Sequence, residues 1–319
     1  MFECKIFKSW VLCHAQSDFI LSNDLIFDIQ MVRLYNSNVD KIAAADIVII
    51  GIPDESKSHA LRKGTSKGPE MIRIASNESN FFIRNGKIIP ICPMRDSVGD
   101  KKVLDYGDVK RDDLYQLVFD LVSAKKIPIL LGGDHSITTI ALRAISDFLG
   151  RVGLLYFDAH PDFVSSSTDY YGSVLTDSSK SIDFGKSMLI GTRSAEHEEL
   201  INARGMGLEI ITPIDIRERG LLKIADGVKS KRNDGKSYIS IDLDCLDPAF
   251  APGVSVPSPC GLSAVDLVYL TKLALSTGIV GLDIVEFSPD FDIHNVTASL
   301  AARILLESIA SIDVTVSGI

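Results

Sequence analysis

Short, mostly apolar runs alternate with amphipathic stretches along the chain from about residue 45 onwards. The runs cover residues 47–50, 127–131, 152–157, 188–190, 209–211, 238–241 and 279–285. Strands that lack an alternation of apolar and polar positions are buried on both faces, as in a parallel sheet covered by helices. Each run therefore predicts a strand inside such a sheet.

The stretches between the runs have helical periodicity, and they predict helices at 112–124, 137–149, 215–229, 263–276 and 297–310. Strand–helix alternation is typical of an α/β fold. We expect a single three-layer domain with a doubly wound, mainly parallel sheet over residues 41–319. Residues 1–40 are poorly patterned and form an N-terminal segment of uncertain structure, either an edge strand with a loop or a subunit contact. The polar stretch 162–186 predicts a long loop.

Composition narrows the choice of partners. The 319-residue chain is 46% hydrophobic, which is ample for a large core. Its 33 basic and 42 acidic residues give a net charge of −9, which argues against nucleic acid or an anionic membrane and mildly favours a cationic partner. Five scattered cysteines without a C-x-x-C pair predict reduced thiols and a cytoplasmic location. With no signal-peptide core and no apolar run of membrane-spanning length, we expect a soluble protein.

Three polar segments each directly follow a predicted strand: residues 132–136 (GGDHS), 158–162 (DAHPD) and 242–244 (DLD). The carboxyl ends of parallel strands open onto one crevice, so we expect these segments to converge there. In extended backbone, side chains two residues apart point to the same side, which predicts that the acidic and histidine positions face the crevice together. Each segment alone also fits an ordinary turn or loop, but the three in this order indicate one shared site.

The converging side chains are four carboxylates and two imidazoles, a set that would repel itself without cations. Two divalent ions balance the four carboxylates, whereas one would leave a costly buried negative charge. Oxygen-rich ligands with a minority of imidazole suit manganese better than zinc. Alternation points Cys245 away from the crevice, so it is not counted as a ligand. The sequence predicts two Mn²⁺ per chain, bound by His135, Asp158, His160, Asp162, Asp242 and Asp244.

The same segments carry a resemblance to a known family. GGDHS, DAHPD and SIDLDCLDPAFAPG are similar to the signature blocks of the ureohydrolases, which include arginase, agmatinase, formimidoylglutamase and guanidinobutyrase. Further similarity is found in the segments 51–53, 64–73, 105–109 and 281–286. The resemblance is strongest to agmatinase and runs from about residue 45 to the C-terminus. It implies an arginase-like fold, with 41–319 as the catalytic domain.

The resemblance implies a role for each site residue. The implied ligand sets are Asp158 and Asp242 as bridges, His135 and Asp162 at one ion, and His160 and Asp244 at the other. A water held between the ions becomes a hydroxide nucleophile near neutral pH. Glu286 binds the substrate guanidinium and directs its carbon at that hydroxide, while Asp162 carries a proton to the departing amine. The products are urea and an alkylamine.

One position departs from the family pattern. Arginases and agmatinases usually carry a proton-shuttling histidine in the loop after the second block. No histidine occurs between His160 and His197 here, and Tyr171 holds the position. A phenol with a pKa of about 10 is a poor shuttle at neutral pH. We therefore keep Tyr171 as a candidate catalytic residue and expect a slower or more alkaline enzyme.

Two further positions bear on the substrate. Arginases place a small polar residue where this chain has Val164, and the lack of a polar group for an α-carboxylate favours agmatine over arginine. Glu196 is a candidate for binding a distal ammonium, although a glutamate there also fits the first turn of a helix.

These observations predict manganese-dependent hydrolysis of agmatine to putrescine and urea, a step of polyamine biosynthesis. The family resemblance implies a homo-oligomer, either a trimer or a hexamer. Another ureohydrolase substrate (arginine, guanidinobutyrate or formimidoylglutamate) and a catalytically impaired metal-binding relative are the open alternatives. A single-zinc deacetylase of related fold is disfavoured, because the sequence lacks the tandem histidines typical of such enzymes.

Overall fold

Eight parallel strands form the central sheet of the computed structural model, which describes residues 32–231 and 235–315. In chain order the strands are β1 (Ile47–Ile52), β2 (Phe81–Arg84), β3 (Lys87–Pro90), β4 (Val103–Asp108), β5 (Ile127–Gly132), β6 (Gly153–Phe157), β7 (Met188–Ile190), β8 (Glu209–Ile211), β9 (Ser237–Asp242) and β10 (Gly281–Val285). The sheet has the order β4-β1-β5-β10-β9-β6-β7-β8, and β2 pairs with β3 in a separate antiparallel hairpin.

Helices cover both faces of this sheet. They are α1 (Gly68–Ser79), α2 (Arg111–Ser123), α3 (Ile137–Leu149), α4 (Val174–Asp177), α5 (His197–Gly205), α6 (Pro213–Arg219), α7 (Leu221–Ser230), α8 (Ala264–Leu275) and α9 (Val296–Ser311). One apolar layer joins the sheet to α1, α7, α8 and α9, and the other joins it to α2, α3 and α4. The predicted α/β fold with a doubly wound parallel sheet is confirmed.

Burial on both faces explains the apolar runs. In β1, Ile47 and Ile49 belong to one apolar layer while Val48 and Ile50 belong to the other, and all four side chains are fully buried. A strand in this position has no solvent face, so its sequence shows no alternation. No helix in the described ranges 32–231 and 235–315 is long and apolar enough to cross a membrane.

The structure differs from the sequence-based elements in three places. The predicted helix 215–229 is two helices, α6 and α7, because Gly220 between them has a φ of 86° and ends the first. The predicted loop 162–186 contains a 3₁₀ turn at Tyr171–Ser173, followed directly by α4. The elements α1, α5, β4 and the β2–β3 hairpin were not predicted. Residues 1–31 lie outside the described residues, so the division of the chain at residue 41 stays a prediction.

Strand β4 was not predicted from the sequence because a buried charged residue, Asp105, interrupts its apolar pattern. Asp105, within β4, accepts two hydrogen bonds from the Arg73 guanidinium, at 2.8 Å from Nε and 2.9 Å from Nη2. Asp108, at the end of β4, accepts a third from Nη1 at 2.6 Å. Arg73 and Asp105 are both buried, so this ion pair holds α1 against the edge strand without help from solvent.

The Arg73–Asp105 pair gives a stability prediction. Arg73→Met keeps most of the side chain's volume but leaves Asp105 buried without its cation, so we expect a loss of about 3–5 kcal/mol in the free energy of unfolding. Arg33→Met is the matched control, because the Arg33–Asp40 pair is exposed and such pairs contribute about 1 kcal/mol or less. Denaturant titration of both variants measures the difference, and equal losses would contradict the role given to Arg73.

Candidate metal centre and substrate pocket

The site is built from turns that follow four neighbouring strands in the middle of the sheet. Strands β5, β10, β9 and β6 are adjacent, in that order. The turn after β5 carries His135, the turn after β10 carries Glu286, and the turns after β9 and β6 carry the aspartate segments. All four strands are parallel, so these turns lie at the same edge of the sheet.

Two of these turns are locked together by hydrogen bonds. The backbone N–H of His135 donates to Oε1 of Glu286 at 2.8 Å, and the N–H of Glu286 donates to the carbonyl of Gly133 at 3.0 Å. Ser255 donates to the other Glu286 carboxylate oxygen. A side chain at Gly133 would place its Cβ 1.8 Å from the carbonyl oxygen of Asp54, so this close approach requires glycine.

His135 lies at the centre of three carboxylates. Its Nδ1 is 3.1 Å from Oδ2 of Asp158, 3.2 Å from Oδ2 of Asp162 and 3.3 Å from Oδ2 of Asp242. Its Nε2 is 2.8 Å from Oγ of Ser240, which in turn donates to Asp283 at 2.6 Å. Because the Ser240 proton goes to Asp283, the serine oxygen accepts from Nε2–H. This arrangement leaves the Nδ1 lone pair directed at the carboxylates, as a metal ligand requires.

A second group shares Asp158 with the first. Nδ1 of His160 is 3.1 Å from Oδ2 of Asp244 and 3.5 Å from Oδ1 of Asp158. Ligand atoms of Asp158, His160 and Asp244 lie close enough to hold one ion, and those of His135, Asp158 and Asp162 to hold another. Asp158 thus occurs in both groups, and the division of the others is the one that the family resemblance implies. Metal binding itself stays a prediction.

The alternation argument for these segments was wrong, although the side chains do converge. Strand β9 ends at Asp242, and Leu243–Cys245 is a 3₁₀ turn in which the N–H of Asp244 donates to Oδ1 of Asp242 at 2.7 Å. Asp162 has a left-handed backbone with a φ of 50°. The side chains meet through these turns, whereas Cys245 is fully buried in the apolar layer.

The electrostatics of the cluster fit divalent cations. Burial, with the charges of Asp162 and Asp244, raises the pKa of Asp158 to about 6. Burial lowers the pKa of His160, but Asp244 and Asp158 outweigh it, so the net pKa is raised. Oδ2 of Asp158 is buried and has no hydrogen-bond partner, a costly state for a carboxylate unless a cation binds it. Donor chemistry and the unpartnered oxygen both fit two divalent ions.

A cavity of about 180 Å³ opens above this cluster. The predicted site residues that line it are His160, Asp162, Tyr171, Glu196, Asp242, Asp244 and Glu286. His135 and Asp158 are fully buried and do not line it. The structure therefore brings every predicted site residue to one place, because His135 and Asp158 contact the residues that line the cavity. Val164 also lines the cavity.

Two pocket residues have strongly altered proton affinities. Burial raises the pKa of Tyr171 to about 12, and the charges of Glu286 and Asp162 add to the effect. Its phenol is therefore neutral throughout the ordinary pH range. Burial also raises the pKa of Glu286 to about 8, against the hydrogen bond from Ser255. A bound guanidinium would favour the ionised form of this carboxylate.

The sequence analysis did not predict three residues that contribute to the site. Glu199 lines the cavity, is almost fully buried and has a pKa raised by burial to about 7. Its signal was the Glu-x-x-Glu spacing with Glu196, since the two form a capping box at the start of α5. Asp283 was also missed, yet an aspartate inside an apolar strand indicates a buried partner. Tyr156, which donates to Asp162 at 2.7 Å, gave no such signal.

The Ser240 contact gives a prediction on metal affinity. Ser240→Ala removes the acceptor that holds the proton on Nε2 of His135, so we expect metal affinity to fall about 10–100-fold. Tyr238→Phe is the matched control, because the Tyr238 hydroxyl donates to the same Asp283 carboxylate at 2.8 Å without contacting the imidazole. Calorimetric Mn²⁺ titration compares the two variants. A loss in the control as large as in Ser240→Ala would assign the effect to Asp283 alone.

The fold and site define a three-layer α/β protein with a buried carboxylate–imidazole cluster at the carboxyl edge of its parallel sheet. The model of the arginase family matches residues 45–310, and the chain belongs to that family. The chain is 31% identical over 277 residues to an agmatinase of Salmonella paratyphi B, covering 82% of this chain and 86% of the relative. The predicted membership and enzyme class, a ureohydrolase, are confirmed.

Solved structures give the same relationship. An agmatine ureohydrolase of Thermoplasma volcanium superposes with a TM-score of 0.75 and 31% identity, covering 89% of this chain and 95% of that one. A proclavaminate amidino hydrolase from Streptomyces clavuligerus superposes with a TM-score of 0.74 and 28% identity, covering 84% and 92%. Both are similar to this chain over most of their length.

Proposed function

We propose that this ureohydrolase hydrolyses agmatine to putrescine and urea with two Mn²⁺ ions. The observation that carries the proposal is the position of Glu286 in the wall of the cavity, beside the carboxylate–imidazole cluster. A guanidinium bound to this carboxylate lies next to the cations, which is where hydrolysis requires its central carbon. The similarity to an agmatinase and to an agmatine ureohydrolase supports the choice of substrate.

Different residues of the chain bind the cations, orient the substrate and transfer the proton in this proposal. Asp158 and Asp242 would hold both ions, His135 and Asp162 would complete one site, and His160 and Asp244 would complete the other. When bound, the cations acidify a water and so supply a nucleophile at neutral pH. Glu286 orients the guanidinium through charge-assisted hydrogen bonds. Asp162 accepts a hydrogen bond from Tyr156 on Oδ2, and it faces the cavity, where it transfers a proton to the departing nitrogen.

The lining of the cavity favours a substrate without an α-carboxylate. Three carboxylate residues of the lining, Glu196, Glu199 and Glu286, offer anionic contacts to a molecule with a cation at each end. Val164 gives the lining an apolar side chain. The urea released from agmatine, arginine and guanidinobutyrate tests this directly. Preference for agmatine supports the proposal, and preference for either of the other two would replace it with that ureohydrolase activity.

We further infer a cytoplasmic homo-oligomer that acts in polyamine biosynthesis. The described cysteines Cys92, Cys245 and Cys260 are free thiols, as in a reducing compartment. The β2–β3 hairpin exposes Phe82 and Ile83, which are 61% and 57% accessible and so are available for burial in a subunit contact. Light scattering on the purified protein measures the assembly, and a monomer would contradict it.

Shared ligation predicts an all-or-none metal defect. Asp158→Ala removes the carboxylate that belongs to both ligand groups, so we expect bound manganese to fall from two ions per chain to nearly none. Asp147→Ala, on the exposed side of α3, is the matched control and should retain both ions. Elemental analysis after dialysis gives the counts. One ion retained by the Asp158 variant would contradict the bridging role.

The guanidinium contact gives a prediction that is separate from metal binding. Glu286→Gln keeps the shape of the side chain but loses its charge, so we expect kcat/KM for agmatine to fall by at least about 10–100-fold. Manganese content should stay at two ions per chain, since Glu286 is not in either ligand group. Steady-state kinetics with parallel elemental analysis separates the two effects. Near-normal turnover would remove Glu286 from the substrate site.

A further inference from the structure

The proposed reaction needs a proton carrier, which follows from its atom balance. Water and a guanidinium give urea and an alkylammonium: a C–O bond forms and the C–N bond to the alkylamine breaks. The water oxygen becomes the urea oxygen, so both water protons end on the departing nitrogen. One of them passes through Asp162 in the proposed mechanism. The other leaves when the water becomes a nucleophile, so a second proton must be delivered to the departing nitrogen when the C–N bond breaks.

Most groups that line the cavity are poorly suited to hold this second proton. Glu199, with a pKa of about 7, already accepts the backbone N–H groups of Phe163 and Glu196 on its two carboxylate oxygens, and a proton there would compete with these bonds. The aspartates and His160 are the proposed metal ligands, and Glu286 is committed to the guanidinium. Tyr171 faces the cavity, but its pKa of about 12 means that the phenol passes a proton on and does not store one. Within the described chain, no other residue hydrogen-bonds to the Tyr171 hydroxyl, and Tyr171 lines the cavity. A carrier is therefore expected behind Tyr171.

The imidazole of His59 lies beside Tyr170 and Tyr171. The ring of His59 stacks on Tyr170, with centroids 5.1 Å apart and planes 14° apart, and meets Tyr171 edge-to-face at 6.2 Å. Tyr170 and Tyr171 contact each other at 5.8 Å, and both line the cavity. His59 itself is exposed to solvent and does not line the cavity. It thus sits outside the tyrosine pair, between the cavity and bulk water.

Hydrogen bonds fix this arrangement on both sides. The N–H of Lys57 donates to Oδ2 of Asp134 at 2.9 Å, which ties the loop of His59 to the turn that carries His135. The N–H of Tyr171 donates to the carbonyl of Lys57 at 3.3 Å, which ties the same loop to the tyrosines. Lys57 and Asp169, one on each of these two loops, form an ion pair with each other.

We infer that His59 is the proton carrier of this enzyme, exchanging protons with the cavity through the Tyr171 hydroxyl and solvent water. Imidazole is the side chain that gains and loses a proton near neutral pH, which suits it to accept the water proton and return it within one turnover. His59 acts through Tyr171 and does not touch the substrate, so it is a positioning and relay residue. The inference rests on the proposed hydrolysis.

His59→Asn tests the inference, because it removes the imidazole from an exposed position without disturbing the core. We expect kcat for agmatine at pH 7 to fall about 10–100-fold, with KM, manganese content and melting temperature unchanged. Added imidazole should restore turnover in the variant in a concentration-dependent way and leave the wild type unaffected. Tyr171→Phe should show a similar defect, and the double variant should be no slower than the single ones, since both act on one path.

His197→Asn is the matched control. His197 is also exposed and adjoins Glu196 at the cavity, but it has no ring contact with either tyrosine. Wild-type kcat in His59→Asn, a loss without imidazole rescue, or an equal loss in His197→Asn would each overturn the relay. The failure of the proposed function looks different: the wild type itself would then release no urea from agmatine.

Discussion

The site depends on one electrostatic constraint: four carboxylates and two imidazoles are packed together in mostly buried positions. Within 3.3 Å of a single nitrogen of His135 lie three carboxylate oxygens, and an Asp158 oxygen is buried with no hydrogen-bond partner. Such a cluster destabilises the folded protein until cations neutralise it. Hydrogen bonds from the surrounding structure hold these side chains in place. Examples are the contact of Ser240 with His135 and the bond from the N–H of Asp244 to Asp242 in the turn after β9.

Sequence reasoning succeeded where topology alone decides position. Parallel strands that are buried on both faces are apolar throughout, so the apolar runs in the sequence predicted β1, β5 and β6. The segments that follow parallel strands lie at one edge of the sheet, so their convergence was predicted as well. Sequence reasoning failed where the local backbone conformation decides the direction of a side chain. The 3₁₀ turn after Asp242 and the left-handed backbone of Asp162 are set by capping and close packing, which a period-two pattern does not contain.

Contacts between distant segments were the other limit. Arg73 and Asp105 are 32 positions apart, and neither sequence neighbourhood indicates that the two charges are buried together. The same holds for His59, which lies 111 positions before Tyr170, the ring on which it stacks. The sequence of the loop after the second block does not indicate this contact, because the imidazole lies on a different loop.

The hydrogen bond from the backbone of His135 to Glu286 has a thermodynamic consequence. His135 has two roles in this turn. Its side chain is a proposed ligand of the cations, and its backbone N–H holds Glu286, the carboxylate proposed to bind the substrate. Occupancy at either end restrains the same few backbone dihedrals, so each ligand binds a turn that the other has already ordered. By linkage, the free energy by which cations favour substrate equals that by which substrate favours cations. The protein would therefore retain its metals more firmly with substrate bound than without it.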